Sequence, residues 1–193
     1  MINKKITIIV GCSSIGKDYA LNYLVSSHNY KPLISHTTRP IRPNEKNGRE
    51  YHFVNDKKFL KMIKNEELIE YRTYNTLQNG IPSVWYYGLS KKTIDNLDPK
   101  SRYVTIFDIR GAKDFIEYYG KDNCFVVMIR CDDKIKEERA KLRGGYSVEE
   151  WARRLMDDKI VFSDENTKGL IDWYIENNGT VDEFENELVN LNR

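Results

Sequence analysis

An α/β fold, a parallel sheet covered by helices on both faces, is what this sequence predicts, and three observations carry it. Short apolar runs alternate with stretches of helical length. The first apolar run feeds directly into a glycine-rich loop and a lysine that open a helix. The chain, at 193 residues, suits one domain with small insertions and is long enough to bury a real core.

The elements follow in order. Ile6–Val10 reads as a buried strand, and the residues from Gly16 to Ser26 as the helix after the loop. Leu33-Ile34-Ser35 is a weaker strand candidate. Tyr103–Phe107, Phe125–Ile129 and Ile171–Ile175 are further buried strands. Helices are expected over 113–119, over 132–143 with Asp132 as a cap, over 147–162 where Ser147-x-x-Glu150 has the form of a capping box, and over 181–191. Residues from about His36 to Ser90 differ. They are polar and aromatic, with hairpin-like turns at Asn47-Gly48 and Asn79-Gly80, and read as an insertion with its own small β-structure. Gly144-Gly145, in a basic stretch between two helices, reads as the hinge of a flap.

Composition excludes several function classes. A net charge of +2 provides no overall field toward nucleic acid or a membrane surface. Three cysteines (Cys12, Cys124, Cys131) have no zinc-ligand spacing and imply no disulfide framework, so a reducing cytoplasm is expected. No apolar stretch is long enough to span a bilayer, and Ile6–Val10 is too short for a signal segment.

The chemistry starts at Gly11-Cys12-Ser13-Ser14-Ile15-Gly16-Lys17-Asp18, which fits the phosphate-binding loop G-x-x-x-x-G-K-[ST] at every fixed position but the last. Backbone N–H groups in such a loop surround a phosphate, the helix N-terminus adds its dipole, and Lys17 reaches the β- and γ-phosphates. The expected ATP-binding residues are Gly11, Cys12, Ser13, Ser14, Ile15, Gly16, Lys17, Asp18 and Tyr19. Asp18 stands where a magnesium-binding hydroxyl is usual. A carboxylate can also ligate Mg2+, or can simply complement the helix dipole, and both readings stay open. The fold class thus becomes a P-loop NTPase-type parallel sheet.

A second phosphate site is suggested by Ser35-His36-Thr37-Thr38-Arg39-Pro40-Ile41-Arg42 and the following stretch to Phe53. Two arginines stiffened by prolines suit bidentate contacts to a phosphate. Here the chain resembles the guanylate kinases, whose S-x-T-T-R-x-x-R-x-G-E-x-x-G-x-x-Y-x-F it keeps at Ser35, Thr37, Thr38, Arg39, Arg42, Glu45, Gly48, Tyr51 and Phe53, with Asn44 replacing the first glycine. The resemblance continues through Leu68-Ile69-Glu70-Tyr71, Tyr86-Tyr87-Gly88, Asp108-Ile109-Arg110-Gly111-Ala112, Arg139 to Gly144, Arg154-Leu155 and Asp172 to Asn177. It implies a core over 1–34, 91–135 and 163–193, an acceptor-nucleotide-binding subdomain over 35–90, and a helical lid over 136–162. It implies that Ser35, Arg39, Arg42, Tyr51 and Tyr87 hold the acceptor phosphate, and that Glu70 and Asp108 accept hydrogen bonds from guanine. It also implies Lys17, Arg143 and Arg154 as catalytic cations, Arg139 on the ATP side, and Mg2+ as cofactor. The implied partners are ATP and GMP or dGMP, with monomer and homodimer both open.

Besides Asp18 and Asn44, two positions and one stretch depart from the family pattern. Leu89 replaces a hydroxyl residue that touches guanine. Ile106 replaces an acid near the metal. The stretch from Glu70 to Tyr87 is longer than usual. Asp18 is therefore expected to substitute for the acid missing at Ile106. The expected activity is ATP-dependent phosphorylation of GMP or dGMP. A related kinase of altered acceptor specificity and a catalytically degenerate nucleotide-binding module remain as alternatives.

Overall fold

The computed structural model describes residues 5–78, 81–142 and 146–192. In chain order the elements are β1 (Ile6–Val10), α1 (Lys17–Ser27), β2 (Tyr30–Pro32), β3 (His36–Thr37), β4 (His52–Phe53), α2 (Asp56–Lys64), β5 (Leu68–Gln78), β6 (Ile81–Ser90), α3 (Lys91–Asp95), β7 (Arg102–Ile106), α4 (Ile109–Tyr119), β8 (Cys124–Arg130), α5 (Asp133–Leu142), α6 (Val148–Val161), α7 (Asp164–Thr167), β9 (Trp173–Glu176) and α8 (Val181–Val189). The chain divides into two compact units. One holds the residues up to Pro32 and from Ser101 onward, and the other is Leu33–Lys100.

The first unit is built on a five-stranded sheet of order β2-β7-β1-β8-β9, with every pairing parallel. All five residues of the central β1 are buried, as a strand covered on both faces requires. Ile9, Val104, Val127, Ile129 and Ile175 from the strands pack with Ala20, Leu24, Phe184 and Leu188 from α1 and α8. The sheet matters for function because β1 and β8 end beside the loop that follows Val10.

Several boundaries differ from the sequence-based expectation, for physical reasons. Leu33-Ile34-Ser35 is not a strand. The edge strand is Tyr30–Pro32, and its pairing with β7 stops at Pro32, whose ring carries no N–H to continue a ladder. The fourth helix begins at Ile109 rather than 113, because Asp108 caps it by accepting from the Gly111 N–H at 2.7 Å. The last strand starts at Trp173. Asp172 instead uses its carboxylate to accept from the Val126 N–H and from Lys121 Nζ, each at 2.8 Å. The capping box expected at Ser147 rests on Glu150, whose side chain lies outside the described residues. The described capping box is at Thr180–Glu183, at the start of α8.

The second unit carries a four-stranded sheet of order β4-β3-β6-β5, the small β-structure expected of the insertion. Asn47-Gly48 does not turn a hairpin, since β4 runs parallel to β3 and Asn47 forms an isolated bridge with Tyr51. Asn79-Gly80 lies outside the described residues, though the antiparallel register of β5 and β6 continues out to Gln78 and Ile81. Helix α2 escaped the sequence reading. Asn55 caps it by accepting from the Lys58 N–H at 2.9 Å, and Phe59 and Met62, three residues apart, bury one side.

His36 and His52 face each other across the β3–β4 pair with ring centroids 4.8 Å apart. Burial, then the proximity of His52 and Lys58, pushes the His36 pKa down to about 4, with Glu67 opposing. The unfolded chain therefore takes up a proton near pH 6.5 that the folded chain refuses until about pH 4. This contribution to stability is full above pH 6.5 and falls away toward pH 4, reduced by solvent screening because the ring is only partly buried. Urea unfolding at pH 7.5 and pH 5 should show a clear loss of stability in the unmodified chain and a smaller one in His36→Gln.

Candidate active site

In the first unit, β1 delivers the chain into the loop and Lys17 opens α1. Ser14 has φ 61° and Gly16 φ 95°, and such alternation of left-handed with ordinary residues is the backbone pattern that makes an anion-binding concavity of N–H groups. Gly16 is needed for space as well as for φ, because a Cβ there would lie 2.7 Å from Asn177 Nδ2. Lys17 Nζ donates to the carbonyls of Gly11 (2.8 Å) and Cys12 (2.6 Å), which curls the lysine over its own loop. The Ser13 N–H donates to Asp158 Oδ2 of α6 at 2.9 Å.

The surroundings explain the electrostatics. Burial, and then the nearby Asp158, pushes the Cys12 thiol up to about 11, with Lys136 and Lys17 opposing. Cys12 is therefore a neutral packing residue at neutral pH, with no nucleophilic thiolate. Burial also raises the Asp158 pKa, against the Ser13 N–H, Lys17 and Lys136. Lys136 is 5% exposed and paired with Asp133 at 2.6 Å. A cavity of about 290 Å³ opens beside the loop, lined by Cys12, Ile15, Met128–Asp132 and Glu176. It lies at the carboxyl ends of β8 and β9, where parallel sheets place their ligands.

Asn177 was not singled out from the sequence. Its Nδ2 donates to the Ile15 carbonyl at 2.8 Å, and its Oδ1 accepts from Arg139 Nη2 at 3.2 Å. Arg139, expected on the ATP side, is thereby held toward the loop, and it also donates to Cys131 Sγ at 3.4 Å. Arg154 is exposed on α6, and Asp18 and Tyr19 are exposed in the first turn of α1. Arg143 and the Gly144-Gly145 hinge lie outside the described residues. Asp108 spends one carboxylate oxygen on the α4 cap. Ile106 is partly buried and packs against the apolar core.

In the second unit, Arg39 is 5% exposed and its Nη2 donates to Glu45 Oε1 at 2.7 Å. Glu45 also accepts from the Arg42 N–H at 2.8 Å, so one carboxylate shapes the whole arginine turn. The hydrogen bond from Arg39 holds the Glu45 pKa below the ordinary carboxylate range. The Arg39 guanidinium lies 5.6 Å from the Tyr51 ring centre, and Tyr51 meets Tyr87 edge-on at 5.7 Å. Arg39, Tyr51 and Tyr87 are thus one cluster. Arg42 is exposed beside it, and Ser35 accepts from the His52 N–H at 2.8 Å through its carbonyl.

Glu70 is 7% exposed and sits just after a register shift in β5, where a bulge re-aims a side chain. Its Oε1 accepts from the Leu89 N–H at 2.9 Å. Gly88 makes this approach possible, since a Cβ there would come within 2.8 Å of the Glu70 carbonyl and 3.1 Å of the Phe59 ring. Leu89 is fully buried, and the Ser90 hydroxyl bonds to Thr93 at 3.0 Å. Among the described residues no group of three or more His, Cys, Asp or Glu could hold a metal, and no helix is long and apolar enough to cross a membrane.

Comparison with known proteins gives a consistent answer. The family model described as guanylate kinase matches residues 3–188. A guanylate kinase of Onion yellows phytoplasma (strain OY-M) is 28% identical over 159 residues, covering 80% of this chain and 71% of the relative. One from Wigglesworthia glossinidia brevipalpis is 36% identical over 114 residues, covering 56% of this chain and about half (51%) of the relative. The crystal structure of guanylate kinase from Anaplasma phagocytophilum shares the fold with a TM-score of 0.64 at 24% identity, covering 98% of this chain and 85% of that one.

Glu70 also has a structural task that can be tested alone. Glu70→Ala leaves the buried Leu89 N–H without its acceptor, and should cost about 1–3 kcal/mol in chemical denaturation without any ligand. Glu70→Gln, which keeps an oxygen there, should cost less.

Proposed function

Since the chain belongs to the guanylate kinase family, we infer that it transfers the terminal phosphoryl group of ATP to GMP or dGMP. The observation that supports this best is the pairing of chemistries. One unit has a loop with the alternating backbone of an anion site and a lysine curled over it, and the other has a buried arginine beside two tyrosines. The first suits a polyphosphate and the second a monophosphate dianion. Glu70 suits guanine, whose N1–H and amino group are donors on the edge where adenine offers an acceptor.

The acceptor oxygen of a nucleoside monophosphate is already anionic, so no strong base is needed. The protein's work is alignment and charge neutralisation. Lys17 must leave the carbonyls of Gly11 and Cys12 to take phosphate oxygens, exchanging two neutral acceptors for an anionic one. Arg39 and Arg42 fix the acceptor phosphate, with Glu45 keeping the two in register. Lys17, Arg143 and Arg154 are the cations we assign to the moving phosphoryl group, with Arg139 on the ATP side. Lid closure over them would exclude water.

Magnesium bound to nucleotide phosphates needs only one or two protein carboxylates, and would neutralise charge on the β- and γ-phosphates. The residues fit, because Asp18 puts a hard oxygen donor in the first turn of α1, directly after the phosphate-binding lysine. Asp18 would hold the ion there, directly or through water, in place of the acid missing at Ile106.

The reading is tested by ADP release from ATP and magnesium with GMP, dGMP, AMP, CMP and UMP as acceptors. Turnover with GMP or dGMP alone is expected. Preference for another base would mean altered specificity, and no turnover with any would mean a binding module. For the metal, Asp18→Ala should lower kcat by about 100-fold or more while ADP affinity measured in EDTA stays within about twofold. A fully active variant would remove Asp18 from the metal site.

A further inference from the structure

Helix α6, with Phe162 directly after it, buries one side only partly, through Trp151, Leu155, Asp158 and Phe162 at spacings of four, three and four residues. That is the stripe an amphipathic helix fills with apolar residues, and here one position is an acid. Its neighbour Asp157 is 58% exposed and pairs with Arg153 at 2.6 Å, as a surface carboxylate does. Asp158 turns inward instead. Its Oδ2 lies 2.9 Å from the Ser13 nitrogen, inside the loop whose N–H groups are shaped for an anion. Burial penalises this carboxylate, and it is held by a loop amide with two lysines, Lys17 and Lys136, in its field.

We propose that Asp158 is the resident anion of the phosphate loop: without nucleotide, the α6 carboxylate occupies the amide that a donor phosphate would take, so phosphate binding and seating of α6 on the loop exclude each other. The proposal rests on the phosphate-loop reading above. Its physics is simple. One N–H donor cannot serve a carboxylate and a phosphate at full strength, and the two anions repel at contact distance. Donor phosphate therefore enters by exchange. It releases Asp158, and with it the turn of α6 that carries Arg154 four residues earlier. Lys17 is set up for the same exchange, since the loop carbonyls satisfy it until phosphate arrives. The lid helix thus senses the donor through one hydrogen bond, and the cost of breaking it is built into donor affinity.

The test is calorimetric titration of ADP in EDTA, so that no metal-ligand role enters. Asp158→Ala should bind ADP about tenfold tighter than the unmodified chain, the worth of one competing charge-assisted hydrogen bond. Asp158→Asn keeps an acceptor for Ser13 without the charge, and should tighten binding by less. Equal or weaker affinity in both variants overturns the proposal. If Asp158→Ala unfolds, the isosteric Asp158→Asn decides alone. Lys17→Ala separates the two levels of the argument. Its loss of ADP affinity upholds the loop reading whatever Asp158 does, whereas unchanged affinity refutes that reading and the proposal together.

Discussion

The side-chain amide of Asn177 is the point on which the donor side is hung. Its two ends bind the loop carbonyl of Ile15 and the guanidinium of Arg139, and the backbone N–H of the same residue donates to the Arg130 carbonyl at 2.8 Å. At 5% exposure it has little access to water, so each of those bonds is costly to lose. The loop, the end of β8, and α5 are thereby set relative to the last strand of the sheet. The requirement for glycine at position 16 follows from the same amide, which fills the space a side chain would need. On the proposed function the loop must hold its N–H groups in fixed directions, and the sheet supplies that fixity through one polar residue.

A second theme is that the cations of both units arrive already partnered. Lys17 is bound to carbonyls, Lys136 to Asp133, and Arg39 to Glu45. Buried cations require such partners, because leaving them unpaired costs more than the pairing returns. On the proposed function, substrate binding would then replace partners rather than fill empty positions. Arg39 differs from Lys17 in this respect. Its fork has five donors, so it can keep Glu45 and still offer a face toward a phosphate, with Tyr51 and Phe53 packed near its plane. Lysine, a point charge, has to let go.

Much of this was legible in the sequence, and what escaped it has a common cause. The central strands were readable because burial on both faces makes them continuous apolar runs, as in Ile6–Val10. The loop was readable because its glycines and lysine are demanded by backbone geometry. Helix α2 was missed because two buried residues, Phe59 and Met62, are a thin pattern among lysines. Leu33–Ser35 misled because an apolar run says nothing about a proline that ends the ladder just before it. Asn177 and Asp158 were invisible for a different reason. Each acts on a residue more than 140 positions away, and single-residue polarity does not reveal such a partner. Asp158 did leave one trace, as an acid inside an otherwise apolar stripe.

The β5–β6 ribbon separates its base from its outer end. Strand β6 pairs with β3 at Tyr87 and Gly88, whereas its antiparallel pairing with β5 runs on to Gln78 and Ile81. The outer part of the ribbon is therefore built from cross-strand pairs such as Tyr74 with Trp85 and Asn75 with Val84. Each added pair brings its own backbone bonds, and lengthening a closed loop costs little. A change in ribbon length would therefore add or remove outer cross-strand pairs while Glu70 and Gly88 at its base stay in register.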